Sequence, residues 1–267
     1  MTDPTRVFDN LELYEQWDRD YYHPAAIRLY DRAVAGMLEE LKVEAGSHVL
    51  DAGCGPSVHS IRAARLGARV LGIDVSQTAL DEAKRRVDRS GVGERVELRR
   101  QDLTHLDLAS GSFSAVFCWG VVIHVPEIEK ALEELARVLA PGGRLALQVT
   151  NREAWDHKIE RFARKLLRRE QHQWERRSMG EGRWFEQNGG GELWVWRVDA
   201  QNLTHALEKA GLRLISRRAV ELTELQWRVS AVLRRPLIWL NDRWQRAGGS
   251  PRGCATSLFV FEKTRPA

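Results

Sequence analysis

Val49-Leu50-Asp51-Ala52-Gly53-Cys54-Gly55-Pro56-Ser57 decides the fold of this 267-residue chain. The apolar run at 48–52 reads as a buried strand, and two glycines follow where that strand turns into a helix. Glycine is needed at such a turn because the chain bends sharply and a ligand approaches its backbone. A dinucleotide fingerprint, GxGxxG, would require a third glycine at position 58, which is Val58. The turn therefore points to a nucleotide-like ligand without a pyrophosphate. Ser57 stands at the helix start, where serine is a good cap.

Outward from this turn, strands and helices alternate. Strand patterns occupy His48–Ala52, Ala68–Val75, Val96–Leu103, Phe113–Gly120 and Arg144–Thr150. Helical patterns lie between them at Ser57–Leu66, Ser76–Ser90 and Pro126–Ala140. Ser76 is a cap, and Pro141-Gly142-Gly143 is expected to end the third helix. Such alternation predicts a parallel sheet covered by helices on both faces. Residues 1–46 read as a helical cap: Tyr14, Trp17, Tyr21 and Tyr22 precede an amphipathic run from Ile27 to Leu41. Residues 47–267 form the main domain, with insertions at about 152–197 and 222–253. The first is expected to be a charged helix from Trp155 to Arg177, then a Gly-rich loop at Asn188–Gly191. Between the insertions the rhythm returns, with a helix from Asp199 to Ala210 and a strand from Arg213 to Val220. Thr256–Lys263 closes as a strand.

Two acids mark further strand ends. Asp74 closes Leu71-Gly72-Ile73-Asp74, 21 positions after Gly53. A carboxylate there can accept hydrogen bonds from both hydroxyls of a ribose. Bonds of this charged kind contribute roughly 1.5–3 kcal/mol each. Asp102 can accept from an adenine amino group while Leu103 packs on the ring. Glycine turn, ribose acid and adenine acid at three successive strand ends describe an adenosine pocket.

Together, VLDAGCGPS, VLGIDVS, QDL, FSAVFCWGVVIHV and ALEELARVLAPGGRLAL resemble the class I S-adenosylmethionine-dependent methyltransferases, of the small-molecule type. The match covers roughly residues 46–150 and resumes weakly near 198–220 and 255–263. The resemblance implies an α/β, Rossmann-like, seven-stranded and mostly parallel sheet. Its last strand would be antiparallel, with helices on both faces and helical insertions at the active-site rim. The cofactor would be S-adenosyl-L-methionine and the product S-adenosyl-L-homocysteine. Asp51, Gly53 and Gly55 would face the methionine end, Asp74 and Val75 the ribose, Asp102 and Leu103 the adenine, with Trp119 completing the pocket. Where the family often has a third glycine in the loop, this chain has Ser57.

Methyl transfer needs alignment and, for some acceptors, a base. His124 follows the fourth strand at the sheet edge where ligands sit, and histidine titrates near neutrality. It is the candidate general base; the alternative is that it packs under the following helix. Some quinone O-methyltransferases of similar sequence surround this histidine with metal-binding glutamates. Here the neighbour is Ile123, so no metal is expected. Trp17, Tyr21 and Tyr22 are candidate substrate-side lid residues. His105 and Asp107 read as solvated turn residues, and Cys54 and Cys118 as buried small ones.

Charge is uneven along the chain. Trp155–Arg177 holds eight Lys or Arg against four acids, and Gln226–Arg246 five against one. Eight of the ten tryptophans lie between 152 and 253. Trp155, Ile159, Phe162 and Leu166 recur at helical spacing among Lys158, Arg161, Arg164, Lys165, Arg168 and Arg169. This is the composition of a helix lying on an anionic membrane, and equally that of a lid or dimer face. The expected acceptor is small and moderately hydrophobic, lipid-like or lipid-linked, methylated on oxygen or nitrogen. A nucleic-acid methyltransferase and a non-catalytic cofactor-binding protein acting through partners are the alternatives. The chain has no Pro-Pro pair for a DPPY-type motif and no appended RNA-binding module. Widely spaced cysteines, the absence of a signal-peptide pattern and the lack of about 18 consecutive apolar residues fit a cytoplasmic protein, peripheral to a membrane at most.

Overall fold

Strand β1 (His48–Ala52) has four of its five residues buried, as an apolar run covered on both faces requires. It is an interior strand of a seven-stranded sheet in the computed structural model, which describes residues 6–9, 24–166, 174–187, 191–227, 229 and 231–265. On one side lie β2 (Arg69–Asp74) and β3 (Val96–Arg100); on the other lie β4 (Phe113–Trp119) and β5 (Leu139–Thr150). All four pairings are parallel. Beyond β5 the sheet closes with the last strand in the chain, β10 (Thr256–Lys263), antiparallel to both β5 and the edge strand β9 (Leu212–Glu221). The order is therefore β3-β2-β1-β4-β5-β10-β9.

Alternate residues of the central strands feed two cores. Val49, Ala115, Phe117 and Ala146 pack with α1 (Pro24–Glu40) and α2 (Val58–Arg65). Leu50, Val116, Leu145 and Leu147 face the other way, against α4 (Ile128–Val138) and α6 (Ala200–Lys209). Helix α3 (Gln77–Asp88) follows β2, and Ser76 Oγ accepts from the Ala79 amide as its cap.

Three expectations are corrected. The Pro141-Gly142-Gly143 stretch does not end a helix: α4 stops at Val138 and β5 begins at Leu139, so the stretch lies inside the strand. Strand β3 stops at Arg100, which leaves Asp102 on the following loop. The charged helix expected from Trp155 to Arg177 is described only as far as Leu166 (α5, Trp155–Leu166). Glu175–Arg177 is instead strand β6, paired antiparallel with β7 (Gly180–Glu186), which pairs with β8 (Glu192–Val198). Cross-strand pairing overrode local helix propensity here. Arg168, Arg169 and residues 188–190 lie outside the described residues. The second insertion forms helix α7 (Ala231–Arg246), whose Ile238 joins the core beside α1.

The small sheet is fastened by aromatic residues. Trp194 and Trp196 are buried, their rings 5.3 Å apart near edge-to-face, and Trp184 meets Trp194 at 5.2 Å. Trp196 Nε1 donates to the Val125 carbonyl at 2.8 Å, tying β8 to the loop after β4. Gly182 makes this packing fit: a Cβ there would lie 1.9 Å from the Trp194 ring. Gly182→Ala should therefore displace Trp194 and cost roughly 1–3 kcal/mol by overpacking, read as a lower denaturation midpoint; an unchanged midpoint would contradict this role.

Candidate functional site

The turn after β1 is held to β2 by the Gly53 and Cys54 amides, both donating to the Ile73 carbonyl at 2.8 Å. Gly53 has φ 80°, and a Cβ on it would sit 2.5 Å from Val121, so no side chain fits. Gly55 is the opposite case: with φ 49°, a Cβ there meets nothing within 4 Å, so the turn opens onto free space. Asp74 spans two turns, its Oδ2 accepting from the Gly55 amide and its Oδ1 from the Ser76 amide, each at 2.9 Å.

Asp51 is buried and accepts from Ser60 Oγ at 2.6 Å. Burial pushes its carboxyl up from 3.8 to about 7; the Ser60 hydrogen bond opposes this and the Asp74 charge adds to it. Asp74 is also raised, by burial, against the amide bonds from Ser76 and Gly55. Two carboxyls of reduced acidity thus lie beneath one glycine turn.

Ser57 does not cap α2, contrary to expectation. It takes the left-handed conformation, φ 58°, with no side-chain cap bond. Its Oγ is buried without a hydrogen-bond partner among the described residues. A non-glycine residue there costs about 1–2 kcal/mol, which is why glycine suits this position.

Around the turn, Val75 is partly buried and its carbonyl accepts from Arg100 Nε at 2.8 Å. Asp102 is exposed, with Oδ1 taken by the Thr104 amide and hydroxyl, whereas Leu103 is buried. Trp119 ends β4 between Tyr30 and His59, at centroid distances of 6.4 and 5.5 Å. Burial holds the His59 imidazole down at about 4. His105 and Asp107 lie exposed. All three cysteines are free and buried, and burial pushes each thiol up, Cys118 to about 12.

His124 ends a short 3-10 turn, Val122–His124. Its Nδ1 lies 2.9 Å from the Trp194 carbonyl oxygen. A carbonyl only accepts, so Nδ1 carries the proton and the lone pair is on Nε2. Burial lowers its pKa, with the Trp194 bond acting the other way.

The structure also brings in residues that sequence reasoning missed. The 3-10 turn Arg6–Asp9 lies across the sheet edge: Asp9 Oδ1 accepts from Ser76 Oγ at 3.0 Å, the Asp9 carbonyl accepts from Thr78 Oγ1 at 3.1 Å, and the Phe8 ring is 6.3 Å from that of His124. Nothing in the local sequence around Phe8 signals this. Strand β8 had a signal, the period-two run Leu193-Trp194-Val195-Trp196. The face of β8 carrying Val195 and Arg197 looks into a cavity of about 470 Å3, shared with His157 and Glu160 of α5, Trp174 and Phe185. Arg197 is buried there, paired with Glu160 at 2.8 Å and 3.8 Å from the Trp174 ring centre. Trp17, Tyr21 and Tyr22 lie outside the described residues.

Residues 49–143 match the model of a methyltransferase domain, a segment that runs from β1 into β5 and contains the glycine turn, both acids and His124. This segment is thus similar to methyltransferase domains. Methyltransferase GfsG of Streptomyces halstedii is 40% identical over 118 residues, which cover 44% of this chain and 42% of that protein. The ubiquinone biosynthesis O-methyltransferase of Coxiella burnetii is 28% identical over 158 residues, 57% of this chain and 67% of that one. The chain thus spans less than half the length of the Streptomyces relative. Magnesium protoporphyrin IX methyltransferase from Synechocystis PCC 6803, solved with its bound product cofactor, superposes with a TM-score of 0.64 over 98% of this chain and all of that one; at 18% identity this likeness shows the fold. The geometry leaves room for such a cofactor: space opens above Gly55, next to the Asp74 carboxyl that accepts from its amide.

The raised pKa of Asp51 has a measurable consequence. The folded chain keeps a proton at Asp51 that the unfolded chain releases at about 3.8, so this contribution to stability is complete below about 4 and is lost as pH rises through about 7. Thermal melts of Asp51→Asn should therefore gain on wild type as pH goes from about 5 to 8; parallel curves would show that Asp51 is not raised.

Proposed function

We propose that the protein transfers the methyl group of S-adenosylmethionine to oxygen or nitrogen of a small, moderately hydrophobic acceptor, lipid-like or lipid-linked. One observation carries this reading. The strand whose Trp194 carbonyl fixes the His124 tautomer is the strand whose next three residues line the 470 Å3 cavity. The candidate base and an open cavity that could take an acceptor thereby share one element. The cavity mixes apolar walls (Trp174, Phe185, Val195, Trp196) with a buried Arg197 paired to the half-buried Glu160. Such a lining suits an amphiphilic molecule with a polar end. The Coxiella relative is named for O-methylation in ubiquinone biosynthesis, a precedent for oxygen and for a hydrophobic acceptor.

When bound, the cofactor supplies an electrophilic methyl group on a sulfonium. The chain does the rest. Asp74 would accept from the ribose hydroxyls, with Val75 beside it. Asp102 and Leu103 would hold the adenine, Asp51, Gly53 and Gly55 the methionine end, and Trp119 would close the pocket. His124 Nε2 would take the proton that the acceptor oxygen or nitrogen gives up on methylation. The resulting imidazolium shares its Nδ1 proton with the Trp194 carbonyl. Alignment of the two reactants contributes up to ~7–11 kcal/mol of barrier lowering.

Calorimetric titration tests the cofactor half. S-adenosylmethionine and S-adenosylhomocysteine should both saturate, and Asp74→Ala should weaken each by roughly 10–100-fold, the loss of one or two charged hydrogen bonds. Folded protein that binds neither would sink the reading. The chemical half is tested by turnover of a screened hydroxyl or amine acceptor: His124→Gln should lower kcat by roughly 10²–10⁴-fold with cofactor affinity intact. If kcat is unchanged, His124 serves only to pack the loop.

A further inference from the structure

Helix α5 faces the wrong way for a helix of a water-soluble protein. Its polar side is turned inward: Asp156 accepts from Thr223 Oγ1 and the Glu224 amide, His157 is buried with Nδ1 3.0 Å from the Asn151 carbonyl, and Glu160 pairs with Arg197. Its apolar side is turned out. Trp155, Ile159, Phe162 and Leu166, at spacings of four, three and four, are 58%, 62%, 69% and 72% exposed. A surface helix normally buries that stripe. Exposed Arg161 and Lys165 flank it.

Helix α7 repeats the pattern beside it. Both helices fasten to one loop, α5 through Asp156 and α7 through Asn241, whose side chain accepts from the Leu222 and Thr223 amides and donates to the Thr223 carbonyl. Ile238 and Asn241 face inward, while Val232, Leu233, Trp239 and Leu240 are exposed, with Arg235, Arg243 and Arg246 among them. Among the described residues no helix is long and apolar enough to cross a membrane.

The geometry points to these two stripes as one docking surface for an anionic bilayer, on which the helices lie in the plane of the headgroups. Hydrocarbon accepts the aliphatic Ile159, Leu166, Val232 and Leu240, which offer a nucleic acid nothing to stack on. The charge argues against a second copy, because a two-fold contact through α5 would set Arg161 and Lys165 against their own kind. Acidic headgroups answer them. This inference rests on the proposed lipid-like acceptor only in its purpose: the inner face of α5 lines the cavity, so an amphiphile could pass beneath the helix without crossing bulk water.

Sedimentation with vesicles tests it, using equal parts phosphatidylglycerol and phosphatidylcholine against phosphatidylcholine alone. Wild type should pellet with the anionic vesicles and release as salt rises. The pair Ile159→Ser with Phe162→Ser should lower the partition coefficient at least about tenfold, and Trp239→Ser should lower it by a smaller factor. Arg161→Gln with Lys165→Gln should remove the preference for the anionic lipid. Every variant should melt normally and bind S-adenosylmethionine like wild type, so a cofactor failure and a membrane failure are told apart. Absence of pelleting overturns the proposal, as does pelleting that these variants leave unchanged. A concentration-dependent dimer that Phe162→Ser dissociates also overturns it, giving the face to a second copy.

Discussion

The Asp74 carboxylate is the joint on which the site depends. One oxygen accepts from the turn that leaves β1, the other from the turn that leaves β2, so a single side chain sets the spacing of two neighbouring strand ends. A group at that position cannot leave its strand end without freeing two backbone amides, and buried amides without partners are costly. The same restraint holds the carboxyl group rigid, since its two anchors fix its plane. The Ile73 carbonyl, taking both the Gly53 and Cys54 amides, adds a second clamp in the same place. Preorganisation of this kind lets a ligand bind without ordering the loop first.

Against this rigid half stands a half built from insertions. Strand β8 connects them all: its tryptophans fasten to the loop after β4, its carbonyl orients His124, and its other face walls the cavity. Val7 and Phe8, from the opposite end of the chain, pack on Leu193 and Val195 of the same strand. Loops and insertions at the carboxyl ends of parallel strands are where α/β proteins acquire specificity. Here those segments meet on the seven residues of β8.

The half with regular periodicity was legible in the sequence. The mostly apolar runs at 48–52 and 113–119 read as interior strands, which is where the sheet places them. The cap at Ser76 was legible because serine before a helix has one dominant use. What failed was local reading where tertiary contact decides. Ser57 has the composition of a cap, but the turn demands a left-handed residue there, and the backbone won over the side chain. Glu175–Arg177 has the charge pattern of a helix, but Gly180 to Val198 offered it a strand partner. Asp102 looked like a strand end and became a loop residue because β3 lost its pairing beyond Arg100. The docking of Phe8 and Asp9 joins segments nearly 70 and more than 100 residues apart, and no short-range pattern encodes it.

The burial of all three thiols gives the folded chain a silent set of chemical clocks. A thiol reacts as thiolate, and each of these is both enclosed and raised in pKa. An alkylating reagent therefore reaches them only when the surrounding structure opens, so its rate measures opening free energy rather than intrinsic reactivity. Their placement divides the molecule: Cys54 in the glycine turn, Cys118 in the central strand β4, Cys254 in the segment leading into β10. Opening of the ligand turn, of the sheet and of the closing edge strand is thus written into three separate modification rates on one unaltered polypeptide.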